Sequence, residues 1–190
     1  PETETCDAIL QAWYPGQEGG TAIAEVLYGD VNPSGKLPVT FYRSADQLPD
    51  VEDYNMEGHT YRYFRGDPLY EFGYGLSYTS FSFGKPKVKN GCVEVKVKNR
   101  GKREGTEVVQ LYVRKPSDTT GPDKTLRGFT RVTVPAGKSV KVRIPINEET
   151  FIWWNEDAQD MTPVPGKYIL MTGSSSSDKC LKTKKYDFKG

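Results

Sequence analysis

With 190 residues, the chain is long enough for one large domain, or for one domain plus a piece of another. Its 26 basic and 25 acidic side chains nearly cancel, which removes the electrostatic case for nucleic acid or an anionic membrane as partner. No apolar run reaches the roughly 20 residues that span a bilayer, and three cysteines (Cys6, Cys92 and Cys180) are too few and too scattered for a disulfide scaffold or a zinc site.

In chain order, Pro1 to Thr5 has no secretory character, so the chain reads as mature or trimmed. Gly16 to Gly20 is turn material. Thr21 to Tyr28 has helical spacing, with Ile23, Val26 and Leu27 on one face and Gly29 placed for a left-handed C-terminal cap. Asn32-Pro33-Ser34-Gly35 signals a turn, after which Leu37, Val39 and Phe41 alternate as a short strand whose Pro38 points to an edge. One helix and one strand cannot bury a core alone, so residues 1–45 must pack on something else.

Residues 46–79 read as irregular, with Tyr61 to Phe64 as a candidate short strand. The segment is rich in aromatics, which a disordered tether would lack, so it is expected to be pinned to a surface. From residue 80 the pattern changes to successive short strands. Val93, Val95 and Val97 alternate with Glu94, Lys96 and Lys98, as in a half-buried antiparallel strand. Further strands follow over Val108–Val113 (buried in part on both sides), Leu126–Val134, Val140–Ile146, Phe151–Trp154 and Lys167–Met171, with a last one inside Cys180–Phe188. Seven strands separated by turns describe a β-sandwich of immunoglobulin or fibronectin type III kind. The fold class is therefore mainly β, with residues 80–190 as the sandwich.

Candidate chemistry is sparse. His59 is the single histidine, which nearly excludes Ser-His-Asp and Cys-His arrangements, and in a polar loop it reads as solvated or hydrogen-bonded. Gly16-Gln17-Glu18-Gly19-Gly20-Thr21 precedes a helix and could hold an anion, yet it lacks the Walker lysine and fits a tight turn better. Asn155-Glu156-Asp157-Ala158-Gln159-Asp160 could be offered as a calcium loop but lacks the EF-hand glycine and terminal glutamate, leaving a solvated turn. Trp153 and Trp154 could stack on a sugar face, but strand alternation sends one of the two inward as core. Tyr112 and Trp153 are the aromatic candidates for a polysaccharide-gripping surface. Lys179, Lys182, Lys184, Lys185 and Lys189 read as protection of an edge strand. Cys92 and Cys180 could pair only if their strands were adjacent. No carboxylate pair stands out for acid and base roles, so no catalytic, cofactor or metal residue is assigned.

Two runs carry a resemblance. Pro15-Gly16-Gln17-Glu18-Gly19-Gly20 through Phe41, together with Leu69-Tyr70-Glu71-Phe72-Gly73-Tyr74-Gly75-Leu76-Ser77-Tyr78-Thr79-Ser80-Phe81, resembles the C-terminal part of glycoside hydrolase family 3. Glu104 to Pro116, Lys124 to Val142 and the Gly173-Ser174-Ser175-Ser176 turn resemble the fibronectin type III-like domain that ends many members. The resemblance implies that residues 1–45 are the last helix and strand of an α/β sandwich domain, and 46–79 a connector. It further implies that the family's nucleophile and acid/base carboxylates lie in an upstream barrel and α/β domain, the implied partners of this chain. The activity implied is removal of terminal β-linked sugars from oligosaccharides, with no cofactor, in the periplasm or outside the cell. Thr60-Tyr61-Arg62-Tyr63-Phe64 resembles a motif of members acting on xylosides, with His59 where that motif has arginine. A stand-alone carbohydrate- or protein-binding sandwich is the alternative.

Overall fold

The computed structural model describes residues 5–190. All seven strands expected in the sandwich are present, and three more accompany them among the described residues. One sheet contains β1 (Phe81–Phe83), β2 (Lys87–Lys89), β3 (Cys92–Asn99) and β6 (Ser139–Pro145). β6 takes one edge of β3 along its length, while β1 and β2 divide the other edge between them. The second sheet has the order β10-β9-β4-β5, built from β4 (Gly105–Arg114), β5 (Thr125–Val134), β9 (Gly166–Gly173) and β10 (Lys182–Phe188). A separate hairpin joins β7 (Ile152–Asn155) to β8 (Asp160–Pro163). Every pairing is antiparallel.

The valine alternation in β3 has the consequence that period-two geometry dictates. Val93, Val95 and Val97 are buried, and with Val142 and Ile144 of β6 they meet Val109, Leu111, Val113 and Leu170 of the facing sheet. Burial of each such side chain contributes about 1.5–3 kcal/mol, which makes this interleaved layer the main source of sandwich stability. Gly128 is what lets the layers close here: a Cβ on it would stand 2.8 Å from Ile144 Cγ2. Phe151 seals one end of the core, with its ring stacked 4.4 Å from Phe188 and 5.4 Å from Tyr186 of the last strand. It leaves a 3-10 turn (Glu148–Phe151) fixed by Asn147, whose side chain accepts the Thr150 N–H while Thr150 Oγ1 accepts the Asn147 N–H.

The second sheet is covered on its other face as well. Tyr112, Met171 and Leu181 form a second apolar cluster, and Leu126, Ile169, Tyr61 and Phe72 pack onto it. β4 is consequently buried along most of its length rather than on alternate residues. Tyr61 and Phe72 come from residues 5–80, which hold two α-helices, α1 (Gly19–Leu27) and the single-turn α2 (Thr60–Tyr63), with a short 3-10 turn (Ala45–Gln47) between them.

Two local expectations change in this N-terminal segment. Thr60 to Tyr63 is helical rather than extended, with only Phe64 of the expected strand extended, and the turn presents Tyr61 to the sheet. Its ring stacks 4.3 Å from Phe72, and its hydroxyl accepts the Leu126 N–H at 3.0 Å. Leu37 to Phe41 forms no regular strand. Leu37 exchanges hydrogen bonds with Gly73 and Tyr74, and Phe41 with Leu69 and Tyr70, leaving one bridge at Phe41 and Tyr70. Pro38 between them has no N–H to continue the ladder.

Two core tyrosines make the fold alkali-sensitive. Burial, the larger effect, raises the Tyr112 hydroxyl well above its ordinary 10.0, assisted by Tyr61. Burial also pushes Tyr168 up to about 12, against the opposing influence of Arg127. A folded-state value above the unfolded one stabilises fully below pH 10, and that stability is lost as pH climbs toward the folded value. Spectrophotometric titration at tyrosinate wavelengths is expected to show these two phenols ionising together with loss of near-UV dichroism, above pH 10. Ionisation of all twelve tyrosines with the fold intact would contradict this assignment.

Candidate functional site

The residues of highest sequence specificity converge on the seam between the N-terminal segment and the outer face of the second sheet. Gln110 of β4 is at its centre. Its amide donates to the carbonyls of Gly73 (3.2 Å) and Ser174 (2.6 Å), and its oxygen accepts a short hydrogen bond from Tyr112 Oη. Gly73 has φ +80°, and a Cβ there would fall 2.3 Å from Gln110 Oε1, so both conformation and space require glycine. Gly75 is equally confined, with the Gly35 carbonyl oxygen 2.1 Å from where its Cβ would stand. The Phe72-Gly73-Tyr74-Gly75 run is thus a docking device: Phe72 fills the second core, and the glycines bring the backbone close enough to bond.

Two further contacts lock the seam. Lys36 Nζ forms a buried ion pair with Glu107 at 2.8 Å and also donates to the Gly75 carbonyl at 3.0 Å. Asn32 donates to the Glu104 carbonyl at 2.9 Å and accepts from Ser77 Oγ and the Tyr78 N–H. Tyr78 Oη in turn reaches the Val26 carbonyl at 2.5 Å, which attaches α1.

The candidates of the sequence reading fall elsewhere, and the structure does not assemble them into one site. His59 is half-buried at the start of α2, and its Nε2 is buried without a hydrogen-bond partner, unlike the solvated or bonded ring expected there. The turn is drawn inward by Tyr42, whose hydroxyl takes the Thr60 N–H at 3.1 Å. At Gly16 to Thr21 the helix begins at Gly19, with the Gly19 N–H closing on Gly16 O at 2.9 Å. Glu18 is its N-cap without a side-chain capping bond, and its carboxylate accepts from Thr21 Oγ1 at 3.3 Å, a negative charge on the first turn that disfavours an anion there. Asn155 to Asp160 is the turn of the β7–β8 hairpin. Asn155 Oδ1 accepts the Asp157 and Ala158 N–H groups, and the acidic side chains point to water.

Trp153 is buried and its indole N–H donates to Asp118, while Trp154 on the same strand is exposed. Tyr112 is fully buried, so neither it nor Trp153 can serve as an exposed sugar platform. Lys182, Lys184 and Lys185 lie exposed on β10, an edge of the second sheet. Cys92 and Cys180 are both free, the one on β3 in the first sheet and the other in the loop before β10 of the second. Among the described residues, no group of three or more His, Cys, Asp and Glu is placed to hold a metal, and no helix is long and apolar enough to cross a membrane.

Two clefts flank α2. One lies between Phe64 to Glu71 and the Ser176 to Lys179 turn, above the buried Lys124 Nζ, which is held by Asp178 (2.6 Å) and the Ser176 carbonyl (3.0 Å). The other is bounded by Arg62, Tyr63, Arg127 and Trp154. This second cleft leaves no mark in the sequence, because its parts come from three distant segments.

The comparisons match both halves of this seam. Residues 1–78 match the glycosyl hydrolase family 3 C-terminal domain, and residues 107–176 match the fibronectin type III-like domain. This chain has the C-terminal region of glycoside hydrolase family 3. The chain is 52% identical to a xylan 1,4-beta-xylosidase of Xylanibacter ruminicola over 96% of its own length and 22% of that protein. It is 39% identical to a periplasmic beta-glucosidase of Salmonella typhimurium, covering 93% of this chain and 26% of that one. The solved beta-glucosidase of Kluyveromyces marxianus superposes with a TM-score of 0.86 at 32% identity, over all of this chain and 25% of its own. The chain therefore spans about a quarter of the length of the family 3 relatives it matches.

For a family 3 C-terminal region, the seam contacts should govern how the two matched parts hold together. Gly73→Ala is expected to destabilise the chain by about 1–3 kcal/mol through strain at positive φ and loss of the Gln110 bonds. Denaturant unfolding measures this, and Gly16→Ala, where a Cβ meets nothing within 4 Å, is the matched control.

Proposed function

We propose that this chain is the C-terminal part of a β-xylosidase-type family 3 glycosidase, in which it acts as a structural buttress without catalytic residues of its own. Residues 1–45 would complete an α/β sandwich domain whose larger part lies upstream, 46–79 would connect, and 80–190 would form the clamp. The observation that carries this reading is the distribution of exposed apolar side chains. Ile9, Trp13, Tyr14, Leu27, Tyr28 and Val51 are all at least half exposed, within the segment that matches the family 3 domain. On the described sandwich only Phe129, Trp154 and Met161 are large, apolar and exposed. Large apolar side chains left exposed in one segment are what a covering protein surface, when present, would bury.

Hydrolysis with retention needs two carboxyl groups about 5–5.5 Å apart across the scissile bond. The resemblance locates both of them in portions of the family that this chain does not match. The parent would remove terminal β-linked sugars from oligosaccharides, outside the cytoplasm as the named periplasmic relative does. The intact Thr60 to Phe64 motif and the 52% identity to a xylan 1,4-beta-xylosidase support xylosides over glucosides.

Incubated with aryl β-xylosides and β-glucosides, the 190-residue chain is expected to give no turnover above a heat-killed control. It is also expected to bind an apolar dye and to self-associate at micromolar concentration, through residues 5–60. Measurable turnover would overturn the non-catalytic reading. A monomeric chain that binds no dye would overturn the exposed-interface reading.

A further inference from the structure

The cleft beside α2 carries an arrangement that the buttress role does not use. Arg62 of α2 and Arg127 of β5 both line it, and neither forms an ion pair with any described carboxylate. The Nε atoms of both guanidinium groups are buried without hydrogen-bond partners. Desolvation, and after it repulsion from Arg62, hold the Arg127 guanidinium below its ordinary value, which marks two like charges sharing a poorly hydrated space. Each guanidinium lies over an aromatic ring: Arg62 over Tyr63 at 5.5 Å, and Arg127 over Trp153 at 5.8 Å. Arg127 also donates a short bond to the Ile152 carbonyl.

Acidic groups at the cleft do not neutralise this pair. The Asp118 carboxylate is committed to the Trp153 indole N–H and to the backbone amides of Gly121 (2.7 Å) and Thr120 (3.3 Å). Glu156 is exposed in the hairpin turn, and Lys115 adds a third cation to the wall. With both Nε atoms buried and one Arg127 Nη bonded to the Ile152 carbonyl, the remaining Nη groups of the two arginines are the donors left for an anion. A two-oxygen carboxylate can accept from both side chains. The exposed Trp154 ring on the same wall supplies the flat apolar surface against which a pyranose stacks its C–H face. A small inorganic anion would leave that surface unused. The cavity, about 370 Å³, is of a size for a short ligand.

We propose that this cleft is a binding subsite for a carboxylate-bearing sugar, a hexuronic acid unit free or attached to an oligosaccharide. Arg62 and Arg127 hold the carboxylate, and Trp154 carries the ring. The choice of a sugar rests on the glycosidase reading, while the requirement for an anion rests on the arginine pair alone. Within a parent acting on substituted xylan chains, such a subsite would retain acidic side groups away from the bond being cut.

Calorimetric titration of the 190-residue chain tests this with four probes: glucuronic acid, a glucuronate-substituted xylo-oligosaccharide, the unsubstituted oligosaccharide of equal length, and inorganic phosphate. The acidic oligosaccharide is expected to bind at least about tenfold more tightly than the neutral one, and to weaken as salt rises. Trp154→Ala and Arg62→Gln are each expected to weaken it at least about fivefold with melting temperature unchanged; the exposed Trp154 keeps the test valid if the arginine variant misfolds. No heat at about 10 mM ligand, equal binding of the neutral oligosaccharide, or phosphate binding as tightly as glucuronate would each overturn the proposal. These outcomes are independent of turnover, so failure here leaves the glycosidase reading standing, and success does not require it.

Discussion

The structure depends on burying β4 from both sides. One face of that strand builds the sandwich core through Val109, Leu111 and Val113, and the other receives the N-terminal segment through Tyr112 and Gln110. A strand in this position has no solvent-facing side on which polar groups can be satisfied by water. Gln110 is therefore permitted only because each of its amide groups finds a partner, two backbone carbonyls and a tyrosine hydroxyl. Removing that satisfaction would leave a buried amide costing about 1–3 kcal/mol. The glycines of the Phe72 to Gly75 run, the Lys36–Glu107 pair and the Tyr61 stack all follow from the need to bring backbone up to this face.

Much of the architecture was legible in the chain. The strict alternation of Val93, Val95 and Val97 fixes β3 and the face it buries, and the same logic holds for Val140, Val142 and Ile144 of β6. β1, β2 and β8 escaped notice because each has three or four residues, too short for alternation to register. The aromatic run at Tyr61 to Phe64 misled for a related reason. Four residues of high strand propensity say little when tertiary contacts can draw one ring down onto a sheet, and Tyr61 finds Phe72 and Tyr112 only if the backbone coils.

The candidate cleft was not legible. Arg62 lies in the Thr60 to Phe64 motif and Trp154 in a tryptophan pair, so each was conspicuous alone, but long stretches of chain separate them from one another and from Arg127. Only the docking of α2 beside β5 and the β7–β8 hairpin brings them to one cavity. The seam glycines present the reverse case: Gly73 and Gly75 were conspicuous as a motif, but their reason, the closeness of Gln110 and Gly35, belongs to the fold.

The anchor of the seam also implies an order of events during folding. The Phe72 carbonyl accepts the Ser176 N–H, and Gln110 binds Ser174, so the resting place of the aromatic N-terminal segment includes residues more than a hundred positions further along. Closing loops of that length is slow compared with pairing β4 to β5 through their short connection. Pairing of β4 with β5 already supplies Tyr112 and Leu126 as a platform for Tyr61, but Met171 and the Ser174 to Ser176 turn, which complete the cover over Phe72, arrive only with β9.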